Sequence, residues 1–221
     1  MNKKVRSKKI ISGVYLVLDP SVQRNVLMDK LKEALQGGID IIQIWNHWPD
    51  SFSADDKEQV IDQILSISND YNVPVLINED WELLKDKELD GIHFDHIPDH
   101  FSKIKTEVEK DFIAGITCSN DLDVIRWADE NNFDYISFCS MFPSSSVDSC
   151  EIVRLETVRK AREITELPLF VSGGITTENL PELEKLDFEG VAVISGILNS
   201  DSPRESTNEY KELLHKMNKE T

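Results

Sequence analysis

The 221-residue sequence predicts a (β/α)8 TIM barrel. Three observations lead there: short apolar runs alternate with segments of helical periodicity, eight such pairs can be counted, and the length suits one domain of that size. A flavodoxin-like open sheet is the second reading, because it shares the alternation. Taken in order, the strand-like runs are residues 14–18, 39–44, 74–78, 91–94, 112–117, 135–138, 169–172 and 191–194. Each is mostly apolar and bounded by polar or turn-forming residues, the pattern of a strand covered on both faces. Helical patterns occupy 25–36, 56–71, 81–87, 101–109, 122–131, 155–165 and 177–186, followed by a last amphipathic segment over 203–217. In the seventh helix Thr177 is the expected N-cap, and Leu180, Leu183 and Leu186 recur at helical spacing. No Ser/Gly-rich linker divides the chain, so residues 1–221 are read as a single domain. Residues 1–9 and 218–221 are expected to be disordered.

The last two runs carry the first functional signal. Leu169-Phe170-Val171-Ser172-Gly173-Gly174-Ile175 and Gly190-Val191-Ala192-Val193-Ile194-Ser195-Gly196 both end in small residues. Small residues at the C-terminal ends of neighbouring parallel strands leave main-chain N–H groups free, and a helix N-terminus adds its dipole. That arrangement binds phosphate. An aspartate at Gly174 is therefore expected to abolish phosphate binding with little effect on the fold.

Composition narrows the partners. Forty-one acidic residues against 24 Lys and Arg give a net charge of −17, which argues against nucleic acid and anionic membranes. Cys118, Cys139 and Cys150 have no CxxC spacing, so neither a disulfide framework nor a zinc site is expected and a cytoplasmic setting fits. The N-terminal apolar stretch is interrupted by Gly13 and Asp19 and reads as neither signal peptide nor membrane span. A homo-oligomer is compatible with the sequence.

In a barrel the chemistry sits at the C-terminal strand ends. Gln43 either satisfies a main-chain group in the mouth or serves function. Asn78, Glu79 and Asp80 read equally as a helix cap with first-turn acids and as metal ligands. His93, His96 and His100 have metal-like spacing without a fixed third ligand. Trp45 and Trp48 either stack on a flat heterocycle or cover the rim. Ser144 to Ser146 form a hydroxyl-rich loop that reads as a lid or as solvated chain.

The order of these pieces resembles the thiamine-phosphate synthase family, which includes the related thiazole tautomerases. Tyr15-Leu16-Val17-Leu18-Asp19 is similar to the family's first strand, and Gly37-Gly38-Ile39-Asp40-Ile41-Ile42-Gln43 to its entry into the second. Pro74 to Glu79 resembles the Asn-Asp strand end, and Asp90-Gly91-Ile92-His93 the Asp-Gly-Val-His. Ala114-Gly115-Ile116-Thr117 resembles Gly-x-Ser, while Asp134-Tyr135-Ile136 and Phe142-Pro143-Ser144-Ser145-Ser146 resemble Asp-Tyr-Ile and Phe-Pro-Thr-x-Thr. Ser172-Gly173-Gly174-Ile175 and Val191 to Ser195 match the two phosphate-site strands.

The resemblance implies an enzyme of thiamine biosynthesis, a transferase that joins hydroxymethylpyrimidine pyrophosphate to thiazole phosphate with Mg2+. It implies catalytic roles for Gln43, Asn78 and Thr117, phosphate binding at Gly173, Gly174, Ile194 and Ser195, a pyrophosphate loop at Ser144 and Ser146, and a metal ligand at Glu79. The ligand it implies is a small phosphorylated heterocycle. Where the family carries Gln-x-Arg-x-Lys, this chain has Trp45 and His47. Asp80 stands where a basic residue is usual, Pro98 replaces the second Mg2+ carboxylate, and Val147 replaces a lysine. Each lost charge-assisted contact is worth about 1.5–3 kcal/mol. Slow synthase chemistry is therefore expected, with two alternatives. One is a non-catalytic binder of thiazole phosphate or thiamine phosphate. The other is an altered enzyme on a monophosphate, with His47, His93 or His96 moving a proton. The tautomerase relatives place a His shortly after the strand-five Ser, where this chain has Cys118-Ser119.

Overall fold

Runs buried on both faces can form parallel strands only if helices cover the outside, and the structure meets that demand by closure. The computed structural model describes residues 12–143 and 151–217. Eight parallel strands form a closed barrel in sequence order: β1 Gly13–Leu18, β2 Ile41–Ile44, β3 Val75–Asn78, β4 Gly91–Phe94, β5 Ile113–Thr117, β6 Tyr135–Phe138, β7 Leu169–Ser172 and β8 Gly190–Val193. β8 pairs with β1, placing Tyr15 beside Ala192, so the open-sheet alternative is excluded.

The surrounding helices are α1 Arg24–Gly37, α2 Ala54–Asn69, α3 Leu83–Asp86, α4 Phe101–Val108, α5 Leu122–Glu130, α6 Leu155–Ile164, α7 Ser195–Leu198 and α8 Pro203–Met217. Helix α2 begins at a capping box: Ser53 Oγ accepts from Asp56 N at 3.2 Å while the Asp56 carboxylate accepts from Ser53 N at 2.9 Å. None of the described helices is long and apolar enough to cross a membrane.

The structure departs from the sequence reading in the seventh helix, in the third and after β8. The helix expected over 177–186 is reduced to a 3-10 turn, Leu180–Leu183, with Pro181 near its start. Asn179, not Thr177, stands at the N-cap position, and Thr176 is bonded reciprocally to it. Thr176 N–H donates to Asn179 Oδ1 at 2.8 Å, and Asn179 N–H donates back to Thr176 Oγ1 at 3.3 Å. The three leucines are nevertheless buried, so the apolar spacing reported burial more faithfully than helix. The helix expected over 81–87 shrinks to α3, and α7 was not foreseen. The remaining elements differ from expectation only at their ends.

Side chains alternate across each strand. Val14, Leu16 and Leu18 face the helical shell, whereas Tyr15 belongs to a separate inner cluster with Ile41, Leu76, Tyr135, Phe170 and Ala192. Three aromatic rings fill most of this inner layer edge to face: Tyr15 to Phe170 at 5.5 Å, Tyr135 to Phe170 at 5.4 Å and Tyr15 to Tyr135 at 6.0 Å. Gly115 makes room for them, because a Cβ there would lie 1.9 Å from the Tyr135 ring.

At the N-terminal end of the barrel one device repeats. Asp40, Asp90, Asp134 and Glu189 each stand just before an even-numbered strand. Their carboxylates accept the N–H of Val14, Val75, Ala114 and Leu169 in the preceding odd strand. Each acid also donates its own N–H to the carbonyl of that same residue, at 2.8–2.9 Å. Lys211 pairs with Asp40 at 3.0 Å, and Arg162 pairs with Glu189.

Removing such an acceptor leaves a buried N–H without its partner. Asp134→Ala is expected to cost about 1–3 kcal/mol in urea denaturation, and Asp134→Asn, which keeps an acceptor oxygen, clearly less. Equal losses in the two variants would show that the hydrogen bond to Ala114 is not what Asp134 contributes.

Candidate functional site

The mouth at the C-terminal strand ends is built over a buried polar chain. Gln43 on β2 accepts the Tyr15 hydroxyl at 2.6 Å, and the Tyr15 and Tyr135 hydroxyls lie 2.9 Å apart. Tyr135 reaches His93 Nδ1 at 2.8 Å, and His93 Nε2 meets Thr117 Oγ1 at 2.9 Å. The chain thus crosses the barrel from β2 through β1, β6 and β4 to β5. Gln43, Tyr15, Tyr135 and His93 are buried, and Thr117 at the far end is half-buried. Burial lowers the His93 pKa to about 4, against a smaller opposing pull from the Asp95 carboxylate, so the ring is neutral. Burial likewise raises the Tyr15 and Tyr135 hydroxyls, which remain protonated.

Asn78 staples three loops together. Its Oδ1 accepts from Asn46 N at 3.2 Å, and its Nδ2 donates to His93 O at 3.2 Å and to Asp95 Oδ1 at 3.1 Å. Both amide hydrogens are thereby engaged by protein. Next to it Glu79 adopts a left-handed φ of 63° and turns its carboxylate onto the Asp95 N–H. Burial raises the pKa of Glu79, opposed by that hydrogen bond, and burial also raises the pKa of Asp80. His47 is exposed, with Nδ1 3.0 Å from Asp19 Oδ1 and its ring 4.6 Å from that of Trp45. Trp48 packs on Phe52 and under Lys57, which makes it part of the rim. The Cys118 thiol is buried and its pKa raised, so it offers no acid or base near neutrality.

Mg2+ takes near-octahedral oxygen ligands, commonly one or two carboxylates completed by water and phosphate. Glu79 and Asp95 are the carboxylates at hand, and each accepts from a protein N–H donor. Pro98 supplies no side-chain oxygen. Among the described residues no three His, Cys, Asp or Glu side chains converge. The donors hold loops together and do not fit a preassembled cation site.

The other half of the mouth lies on β6, β7 and β8. Ser140 takes a left-handed φ of 66°, after which Met141 N–H donates to Ser172 O at 2.9 Å and Phe142 N–H to Gly173 O at 3.0 Å. The β6 loop therefore runs on beside Gly173 and Gly174, whose φ values are 86° and 66°. A Cβ on Gly174 would lie 2.6–2.7 Å from the carbonyl oxygens of Pro143 and Phe142. An aspartate there would disturb the fold locally, contrary to the sequence expectation. No described residue accepts from the N–H of Gly173, Gly174, Ser195 or Gly196. Ile194 precedes α7, and Ser195 is exposed at that helix's first position.

The structure thus brings Gln43 and Thr117 into one hydrogen-bonded chain and places Gly173–Gly174 and Ile194–Ser195 just past the ends of the paired strands β7 and β8. Asn78 and Glu79 sit in the loop network, next to Asp80, while Trp45 and His47 lie in the segment after β2 and Pro98 in the segment between β4 and α4. Ser144, Ser146 and Val147 lie outside the described residues. Tyr15 and Tyr135 had no role in the sequence reading. The signal that could have found them is a phenol on the inward face of a strand, which must find a partner.

Comparison with known proteins gives a consistent picture. The family model described as thiamine monophosphate synthase matches residues 14–197. Thiamine-phosphate synthases of Clostridium perfringens strains 13 and SM101 are 30% and 31% identical over 217 residues, covering 95% of this chain and all of theirs. A solved thiamine phosphate pyrophosphorylase from Pyrococcus furiosus superposes with a TM-score of 0.79 at 21% identity, covering 94% of this chain and 98% of that one.

The neutral buried imidazole links stability to pH. His93 titrates lower when folded than its ordinary 6.5, so its contribution is complete above pH 6.5 and is lost as pH falls toward about 4. Urea denaturation between pH 7 and 4.5 is expected to show a fall on the order of a few kcal/mol, flattened in His93→Gln. An identical pH slope in both proteins would mean that His93 is not buried neutral.

Proposed function

The chain belongs to the thiamine monophosphate synthase family, and on that premise we propose that it binds thiazole phosphate and forms thiamine phosphate slowly. In this reading the phosphate is held by main-chain N–H groups of Gly173, Gly174 and Ser195, with Ile194 closing the cradle. The observation that carries the reading is the pair of left-handed glycines whose amides no described residue engages, set beside the first turn of α7. The thiazole nitrogen forms a bond to the pyrimidine methylene carbon as the carbon–oxygen bond to pyrophosphate breaks. The electron pair of that broken bond leaves with pyrophosphate. Gln43 and Thr117 orient the pyrimidine, and Asn78 holds the loops around it.

The slow rate follows from charge. Pyrophosphate departs as an anion and needs cations around it. Among the described residues, the only Lys or Arg between a strand end and the next helix is Arg154, which is paired with Glu151 at 2.8 Å. Trp45, His47 and Asp80 supply no fixed positive charge. Three contacts of about 1.5 kcal/mol lost together amount to roughly a thousandfold in rate. Ser144 and Ser146 complete the proposed pyrophosphate side. The same shortage of cations favours the second reading, a binding protein for thiazole phosphate or thiamine phosphate without turnover.

Two measurements separate these. Thiamine phosphate formation from both substrates with Mg2+ is expected to run at most at about a thousandth of the rate of the Clostridium perfringens synthase assayed beside it. Parity would defeat the charge argument, and no turnover with intact binding would favour the second reading. By calorimetry, Ser195→Asp is expected to weaken thiazole phosphate binding at least about tenfold with unchanged thermal stability, because an exposed first-turn carboxylate suits the helix but repels the ligand. Unchanged affinity would remove the cradle.

A further inference from the structure

We infer that the buried chain from Gln43 to Thr117 is a one-way hydrogen-bond relay that dictates what its two ends offer a ligand. Gln43 presents its amide N–H2, Thr117 presents an oxygen lone pair, and Tyr15 and Tyr135 act as positioning residues. The mouth then selects a ligand with an acceptor toward Gln43 and an N–H or O–H donor toward Thr117. This rests on the proposed function only in taking the mouth as the ligand site.

The direction follows from counting protons. The Tyr15 hydroxyl and Gln43 are 2.6 Å apart, a separation typical of O–H···O and short for N–H···O, so Gln43 turns its carbonyl inward and Tyr15 donates. A phenol has one proton. Tyr15 must therefore accept across the 2.9 Å to Tyr135. Tyr135, having donated there, must accept across the 2.8 Å to His93, so His93 Nδ1 carries a hydrogen. A neutral imidazole has only one N–H. Its Nε2 is thus an acceptor, and across 2.9 Å the Thr117 hydroxyl donates to it. Every interior position is assigned, and none can reverse alone.

The two ends remain open to the mouth. No described residue accepts from Gln43 Nε2. Thr117 is half-buried, and its proton is already committed to His93. A ligand that forced Thr117 to donate outward would have to reverse all four bonds, shift the imidazole tautomer and flip the Gln43 amide. Discrimination at one wall of the mouth is thereby tied to the opposite wall through residues that touch no ligand.

The test is 15N NMR of the ligand-free protein, reading which His93 nitrogen bears the hydrogen, followed by fragment binding. Wild type is expected to show the Nδ1–H tautomer. In Tyr15→Phe the Tyr135 proton is released to point at His93, and the ring is expected to switch to Nε2–H although Tyr15 does not touch it. Gln43→Leu removes the acceptor at the chain's end and is expected to give the same switch, which covers a failure of Tyr15→Phe to fold. An Nε2–H ring in wild type, or no switch in whichever variants fold, would overturn the relay. Fragments that interchange donor and acceptor at adjacent atoms, 4-aminopyrimidine and pyrimidin-4(3H)-one, are expected to bind wild type with at least a tenfold difference that collapses in the switched variant. The same difference surviving the switch would overturn the claim on selection while leaving the phosphate cradle untouched. Loss of thiazole phosphate binding with the tautomers as expected would instead count against the proposed function alone.

Discussion

A phenolic oxygen sealed inside a barrel has to be hydrogen-bonded, and that requirement organises the functional end of this molecule. Tyr15, Tyr135 and Phe170 fill the interior below the mouth, and two of the three bring a hydroxyl. An unsatisfied buried hydroxyl costs on the order of 1–3 kcal/mol. Each therefore meets the other, and the remaining valences are taken up by Gln43 and His93. The packing solution and the polar solution are inseparable: Gly115 yields its side-chain volume to Tyr135, and that ring's oxygen lands within reach of the imidazole. What the mouth offers a ligand is a by-product of how the core beneath it was filled.

The two halves of the mouth differ in how they are held. Around β2, β3 and β4 the loops are tied by side chains, with Asn78 and Glu79 as the knots. Around β6 and β7 they are tied by main-chain pairing that continues past the strand ends, which only residues in left-handed conformations at Ser140, Gly173 and Gly174 permit. The first half is consequently sensitive to side-chain chemistry, and the second depends on backbone shape.

The barrel was legible because strands covered on both faces write themselves as apolar runs, and all eight were read with their order. The seventh helix differs from expectation because leucine spacing encodes burial and cannot by itself distinguish an α-helix from a 3-10 turn bearing Pro181. The glycine pair stands out in the sequence because its residues are consecutive, and both take left-handed conformations. The relay was not, because Tyr15 is bonded to a residue 28 positions away and to another 120 away. Within their strands both tyrosines look like ordinary apolar members. Asn78 was visible as a polar strand end, yet its engagement by three loops depends on Asn46 and Asp95, which no local pattern connects to it.

The acids at the barrel's other end divide it unevenly. Val14, Val75, Ala114 and Leu169 each exchange both main-chain groups with the acid that opens the next strand, so β1–β2, β3–β4, β5–β6 and β7–β8 are each latched by a side chain at that end. Among the described residues the intervening seams show no matching carboxylate latch; there main-chain bonds such as Ile42 N–H to Pro74 O, and Gly13 N–H to Glu189 O, make the join. The closed cylinder is thus a ring of four doublets. When it breathes, the seams between doublets are the natural places to part, and amide hydrogens on the two sides of a single strand should become labile by different local openings.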